Sequence, residues 1–197
     1  MNNEQNVYST RTHRSHYVNI SLLFSTKERL RILSGVIYET GPLNVNKVSK
    51  KVGLSKALVS IYFKHLLTEG VLRRENNEYR VQDGTPTKAI RILLNLSSFN
   101  TDFFSKRPLI RSAGLYGSSV KGTNTEGSDV DLWILTEDVD QETLASLTGD
   151  LKKTFGDVKP LYLTKEKLEL LKKTDATFYH SLVFGSVTIH GDDIEAF

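Results

Sequence analysis

The chain has 197 residues, of which 39% are hydrophobic and none is cysteine. This length and composition suit one ordinary globular domain or two small ones, and the lack of cysteine excludes disulfides, thiolate zinc sites and cysteine nucleophiles. No apolar run approaches the roughly 18 residues of a membrane span, and the N-terminal stretch MNNEQNVYSTRTHRSH lacks the apolar segment of a signal peptide. We therefore expect a cytoplasmic protein that does not contact a membrane.

The net charge of +3 is divided unevenly along the chain. Residues 1–95 contain 15 Lys and Arg against 7 Asp and Glu, a net charge of +8, whereas residues 96–197 contain 11 against 16, a net charge of −5. A basic half attracts phosphate backbones, while an acidic half is explained by solubility or by bound cations. The charge division predicts two small domains with different functions.

Helix signals follow one another in the basic half. The segment STKE at residues 25–28 fits a capping box, which predicts a helix that begins at Ser25. A second apolar stripe ends at Gly53, which can adopt the left-handed conformation of a helix terminus. Ser55 then suits the N-cap of a third helix, which ends at Gly70. Short helices joined by a tight turn predict a helix-turn-helix arrangement.

A hairpin is predicted directly after these helices. In VLRRENNEYRV, two strand-like segments flank Asn76 and Asn77, residues that tolerate the positive φ angles of a two-residue hairpin. Residues 26–83 therefore resemble the winged helix-turn-helix family, with KVSKKVGLSKALVSIYFKHLLTEGVL at the position of its second and recognition helices. The resemblance implies nucleic-acid contacts in the major groove and along the backbone from Lys56, Ser60, Lys64, Arg73, Arg74 and Arg80. The alternative is a module that docks a protein partner or forms a homodimer.

The acidic half combines a small-residue turn with paired acids. LIRSAGLYGSS predicts a strand through Tyr116, followed by a Gly117-Ser118 turn at which backbone N–H groups can approach an anion. Asp129 and Asp131 alternate around Val130 at the start of an apolar strand, so their carboxylates face the same side. Two such carboxylates repel each other unless a cation neutralises them, and Mg²⁺ prefers oxygen ligands of this type together with substrate phosphates. We expect a magnesium ion to join the acids to a phosphate at the turn.

The stretch LYGSSVKGTNTEGSDVDLWIL carries both motifs and resembles the DNA polymerase β-like nucleotidyltransferase superfamily, in particular its minimal prokaryotic members. The likeness extends more faintly over residues 88–197. It implies Mg²⁺-dependent transfer of a nucleotidyl group from an NTP to a hydroxyl, with loss of pyrophosphate. In this resemblance Gly117 and Ser118 hold the triphosphate, Lys121 matches a basic position of the loop, and the catalytic Asp129 and Asp131 ligate the metal.

A third carboxylate, which the superfamily usually places on a later strand, has no clear counterpart here. The corresponding position in DVKPLYLT is Lys159, and Asp157, two residues earlier and on the same face, is the candidate substitute. A lysine favours bound phosphate but cannot serve as the usual metal ligand.

The expected fold class is α/β (α+β), an N-terminal winged helix domain followed by a nucleotidyltransferase-like mixed sheet with flanking helices. The linker segment VQDGTPTK marks the junction, where Thr87 could cap a connecting helix. The predicted domain organisation is a tail (1–24), the winged helix domain (25–83), a linker with its helix (84–108) and the nucleotidyltransferase-like domain (109–197).

Two other functions remain open at this point. The first is a transcription regulator whose nucleotidyltransferase-like domain senses a nucleotide without turnover, a hypothesis that Lys159 and the basic half favour. The second is an antitoxin-like interaction protein that binds another chain.

Overall fold

The computed structural model describes residues 18–196, so residues 1–17 of the expected tail lie outside the described part of the chain. The N-terminal half begins with four helices: α1 (Ile20–Phe24), α2 (Lys27–Val36), α3 (Val45–Val52) and α4 (Lys56–Thr68). The first of them falls in the segment expected to be a tail. Its Leu23 is fully buried and belongs to the core of the N-terminal half, which explains why this segment is helical.

The helix that was predicted to begin at Ser25 is α2, and its predicted N-cap is wrong by one residue. Thr26, in an extended conformation, is the N-cap, and its hydroxyl accepts a hydrogen bond from the Arg29 amide. Ser25 instead ends α1, and its hydroxyl accepts from the Arg29 guanidinium at 2.9 Å. Ser25 and Thr26 are both suitable N-cap residues. Because Ser25 ends the short α1, Thr26 caps α2.

Three further local signals of this half are confirmed. Gly53 ends α3 with a φ of +65°, and Ser55 caps α4 by accepting from the Leu58 amide. Strands β1 (Leu72–Glu75) and β2 (Glu78–Val81) pair antiparallel, and the two residues between them, Asn76 and Asn77, have φ angles of +44° and +66°.

The connecting segment forms α5 (Thr85–Ser97) and the single-turn α6 (Asp102–Ser105). The expectation that Thr87 caps the first of these is wrong, because α5 begins earlier, after Gly84. Thr87 lies inside the first turn, is fully buried, and donates its hydroxyl hydrogen to the Gln82 carbonyl at 2.6 Å.

The C-terminal half contains a four-stranded mixed sheet. Its strands lie in the order β5-β4-β3-β6, with β4 and β5 parallel and the other pairs antiparallel. This sheet with its flanking helices confirms the α+β class. The elements are β3 (Ile110–Leu115), α7 (Ser118–Lys121), β4 (Val130–Thr136), α8 (Gln141–Phe155), β5 (Val158–Leu163), α9 (Lys165–Thr174), α10 (Ala176–Gly185), β6 (Val187–His190) and a 3₁₀ turn (Ile194–Ala196).

The buried apolar side chains form three clusters. One lies in the N-terminal half and reaches Ile90 of α5. The other two cover the two faces of the sheet: Leu132 and Ile134 pack on the α8 side, whereas Trp133 and Leu135 pack against α9 and α10. The alternation predicted for β4 is therefore confirmed. None of the helices between residues 18 and 196 combines the length and hydrophobicity needed to cross a bilayer.

Candidate functional site

The paired acids lie at the beginning of strand β4. Asp129 directly precedes the strand and Asp131 is its second residue, and both side chains are half-buried. The backbone here is held on both sides, because the Tyr116 amide donates to the Asp131 carbonyl at 3.1 Å and the Val130 amide donates to the Asp157 carbonyl at 2.9 Å. The two carboxylates therefore start from a fixed backbone, on the face of the sheet that also carries Trp133.

The small-residue turn contacts these acids directly. Gly117 has φ +68° and ψ −138°, a conformation that residues with a Cβ rarely adopt. A Cβ built on Gly117 would lie 2.3 Å from Oδ2 of Asp131. Both the backbone conformation and the space at this position therefore require glycine, and the structure brings the predicted turn and the predicted acids together.

The other residues of the turn lie in or next to α7. Ser118 is its first residue and is half-buried, while Lys121 is its last residue and has an exposed side chain. The helix closes when the Lys121 amide donates to the Gly117 carbonyl at 3.3 Å. Gly122 then reverses the chain with a φ of +64°. A single helical turn thus separates the expected phosphate position from the basic side chain.

Lys159 occupies the strand next to the acids. In the parallel pairing of β4 with β5, Lys159 is the register partner of Asp131, and its ammonium forms an ion pair with Oδ2 of Asp129. Asp157 is exposed and precedes β5. Within residues 18–196 no three His, Asp or Glu side chains are grouped so that they could hold a metal ion. A positive charge, and not a third carboxylate, therefore completes this cluster.

Their surroundings shift the pKa values of the two carboxylates in opposite directions. The hydrogen bond from Lys159 lowers the pKa of Asp129 below its ordinary value. Burial, and then the negative charge of Asp129, raise the pKa of Asp131, although Lys159 partly offsets this rise. An added cation near Asp131 would favour its ionised form.

An aromatic residue that the sequence did not single out borders the acids. Tyr116 is half-buried, and its ring makes an edge-to-face contact with Phe178 of α10 at 6.3 Å between centroids. Burial raises the pKa of Tyr116, and the nearby charges of Asp131 and Asp129 raise it further. Tyr116 was predicted only as part of a strand, since no local signal indicates that α10 returns to this face.

The candidate nucleic-acid contacts lie in the N-terminal half. Lys56, Ser60 and Lys64 follow one another at four-residue spacing along α4; both lysines are exposed and Ser60 is half-buried. In the hairpin, Arg73 and Arg80 are cross-strand partners, and each contacts a carboxylate oxygen of Glu75 at 3.0 Å.

Arg74 lies on the other face of the hairpin and donates to Oδ1 of Asn77 at 3.2 Å. The six predicted contact residues thus form a row on one helix and a group on the adjoining hairpin. Glu75 partly neutralises that group.

Comparison with known protein families identifies a match in the C-terminal half. Residues 101–195 match the model of the family described as Polymerase beta, Nucleotidyltransferase. The matched region runs from the residue before α6 to the 3₁₀ turn and includes the Gly117 turn, both acids and Lys159. A search among curated proteins found no match. The family match supports a nucleotidyltransferase-like domain of the polymerase β-like superfamily in residues 101–195, and α1–α5 and the hairpin lie outside it.

Proposed function

We propose that residues 101–195 bind an NTP together with Mg²⁺ and transfer a nucleotidyl group to a hydroxyl acceptor. The single observation that carries this proposal is the contact between the turn and the acids, since a Cβ on Gly117 would lie 2.3 Å from Oδ2 of Asp131. A ligand that touches the backbone of the turn therefore also reaches the carboxylates. Few ligands need both features, and a metal-bound polyphosphate is one of them.

The residues present fit a magnesium ion in part. Asp129 and Asp131 would hold it with carboxylate oxygens, the donors that Mg²⁺ prefers, and both side chains are partly exposed to solvent. When bound, the ion would supply neutralisation of phosphate charge during the transfer. Burial, and then the charge of Asp129, raise the pKa of Asp131, and a bound cation would offset both effects.

The chain's own residues would mainly orient the substrate. The backbone amides after Gly117 and the Ser118 hydroxyl can donate to phosphate oxygens, and Lys121 adds a positive charge one helical turn later. In the transfer, the acceptor hydroxyl oxygen would bond to the α-phosphorus as the bond to pyrophosphate breaks, and the hydroxyl proton would pass to solvent water. Such reactions depend on positioning and charge neutralisation more than on covalent catalysis.

For the N-terminal half we propose a winged helix that binds DNA or RNA and brings the second domain to its target. The supporting observations are the net charge of +8 in residues 1–95, the lysine row on α4 and the arginine-bearing hairpin. A protein partner or a second copy of the chain is the alternative occupant of this half.

A second function has its own supporting observation. The ion pair between Lys159 and Asp129 places a built-in cation where a metal ligand is expected. Such a site can bind a nucleotide with less need for a metal and without a catalytic constellation. The chain would then be a regulator in which nucleotide binding changes nucleic-acid affinity.

Labelled NTPs separate the two functions. The protein is incubated with each labelled NTP, Mg²⁺ and a panel of protein, RNA and small-molecule acceptors, beside the variant Asp129→Asn/Asp131→Asn. The matched control is Asp138→Asn/Asp192→Asn, which removes two exposed acids of the same half. Transfer by wild type and control but not by the site variant supports the enzyme. Equal labelling by all three proteins would exclude it.

The regulator is tested by nucleic-acid binding. Affinity for DNA that changes with Mg²⁺ and NTP, in the absence of any transfer product, supports it. No affinity for DNA at low salt would remove this second function.

A further inference from the structure

Helix α5 presents two polar side chains, the buried Arg91 and the half-buried Asn95, to the ligand turn, by which we mean residues 117–124. Arg91 and Asn95 lie one helical turn apart on α5, and Arg91 is only 5% exposed. Buried polar groups of this kind are retained when their hydrogen bonds fix a particular structure.

Asn95 uses both ends of its amide. Its Nδ2 donates to the Ser119 carbonyl at 2.8 Å and to Oδ1 of Asn124 at 3.0 Å, and its Oδ1 accepts from Nδ2 of Asn124 at 3.1 Å. The same Oδ1 accepts from the Tyr38 hydroxyl at 2.9 Å. One side chain therefore holds the ligand turn at two points and connects it to Tyr38, in the turn after α2.

Arg91 spans the same two regions. Its guanidinium donates twice to the Ile37 carbonyl, at 3.0 and 2.8 Å, and once to the Gly122 carbonyl at 3.3 Å. The nearest carboxylate, that of the largely exposed Asp83, is 4.0 Å away. Burying a guanidinium costs free energy unless its N–H groups are hydrogen-bonded. The bond from Arg91 to the Gly122 carbonyl therefore constrains where Gly122 can lie.

The backbone of the ligand turn also fits closely against α5. A Cβ on Gly122 would lie 2.2 Å from the Lys88 carbonyl oxygen. The Ser119 side chain is 1% exposed, and its hydroxyl has no hydrogen-bond partner among the described residues. The ligand turn is thus packed closely against α5, and its conformation depends on α5 as well as on its own sequence.

We propose that Arg91 and Asn95 are positioning residues for the nucleotide site, because they hold the ligand turn at Ser119, Gly122 and Asn124, just after Gly117 has met Asp131. This inference rests on the proposed function. A displacement of about 1 Å in a group that orients a phosphate is enough to lose most of its effect. The same contacts make Tyr38, in the N-terminal half, an indirect support of the site.

Asn95→Leu tests the role of Asn95, because it keeps a similar volume and removes every hydrogen bond of the amide. The matched control is Leu94→Ala on the same helix, which weakens packing against the N-terminal core and does not touch the ligand turn. Tyr38→Phe is the milder variant, since it removes a single hydroxyl. Each protein is measured by thermal unfolding, by amide hydrogen exchange without ligand and by calorimetric binding of Mn²⁺-ATP.

In Asn95→Leu we expect the Lys121 and Thr123 amides to exchange roughly tenfold faster and Mn²⁺-ATP to bind roughly tenfold more weakly, as the loss of about 1.4 kcal/mol implies. Tyr38→Phe should show a smaller change of the same sign. Leu94→Ala should lower the melting temperature but leave the affinity within about twofold of wild type, because its contacts lie elsewhere.

Two failures are distinguishable in this experiment. Wild-type protein that binds no Mn²⁺-ATP would reject the proposed function. An affinity that Asn95→Leu leaves unchanged, or exchange in the turn that rises equally in Leu94→Ala, would reject the positioning role alone.

Discussion

Two neighbouring residues affect the position and the pKa of the Asp131 carboxylate. Gly117 leaves the space that Oδ2 occupies, and Asp129 supplies the charge that, together with burial, raises the pKa of Asp131. The sequence predicts the pair of acids and the glycine from their residue types and spacing. It does not predict that Gly117 and Asp131 are in contact, because this depends on the pairing of β3 with β4.

Gly117→Ala should disrupt the site through this contact. The new Cβ must displace the Asp131 carboxylate, and the positive φ is strained, so we expect a loss of about 1–3 kcal/mol in the free energy of unfolding and little remaining nucleotide binding. Gly149→Ala in α8 is the control, since a Cβ there meets nothing within 4 Å.

The control should be neutral or more stable by about 0.5–1 kcal/mol and bind as wild type does. Chemical denaturation and calorimetry measure both effects. Wild-type affinity in Gly117→Ala would contradict the contact as a requirement of the site.

Lys159→Met should raise the pKa values of both acids. Asp129 loses the hydrogen bond that lowers its pKa, and Asp131 loses a nearby positive charge that offsets part of its rise. Carbon-detected NMR titration of the aspartate carboxyl groups measures the two changes. A lower or unchanged pKa of Asp129 in the variant would show that the ion pair does not form.

The same ion pair has a definite pH window. The folded-state pKa of Asp129 is lowered and that of Lys159 is raised, so the stabilisation is present at neutral pH. It is lost as the pH falls through the lowered pKa of Asp129 and as it rises through the raised pKa of Lys159. The difference in stability between wild type and Lys159→Met should therefore shrink at acid pH.

At the scale of single elements, α4 and the hairpin carry the nucleic-acid prediction. Lys56 and Lys64 are exposed along one row of α4, whereas Arg73 and Arg80 share the carboxylate of Glu75. The lysines are therefore more available to phosphates than the two arginines are. We therefore expect unequal contributions of the predicted contact residues to nucleic-acid affinity.

If this half binds DNA, Lys56→Ala and Lys64→Ala should each weaken binding across sequences and lower the slope of log affinity against log salt by about 1. Lys173→Ala, an exposed lysine on α9, is the control and should leave the slope unchanged. Fluorescence anisotropy over a range of salt concentrations measures the slope. Equal effects of all three changes would contradict a binding role for α4.

Element boundaries show where local signals suffice. Gly53, Ser55 and the Asn76-Asn77 pair each act through their own backbone, and the structure has them as predicted. Ser25 and Thr87 were assigned the wrong roles, since Ser25 ends α1 and α5 already begins after Gly84.

At the scale of the whole molecule, the resemblance of LYGSSVKGTNTEGSDVDLWIL to the nucleotidyltransferase superfamily indicated the mixed α+β architecture. The order of the strands, and with it the placement of Lys159 opposite Asp131, requires the tertiary fold. The contacts of Arg91 and Asn95 with the ligand turn were also unpredicted, because they join residues 24 to 31 positions apart in the chain.

The most direct test of the site is calorimetric titration with ATP in the presence and absence of Mg²⁺, using wild type, Asp129→Asn/Asp131→Asn and the control Asp138→Asn/Asp192→Asn. If a metal-bound polyphosphate joins the acids to the Gly117 turn, Mg²⁺ should strengthen ATP binding in wild type and in the control. The site variant should lose this dependence on Mg²⁺. Heats showing that ATP and Mg²⁺ bind independently of each other, or the same dependence in all three proteins, would contradict this binding mode.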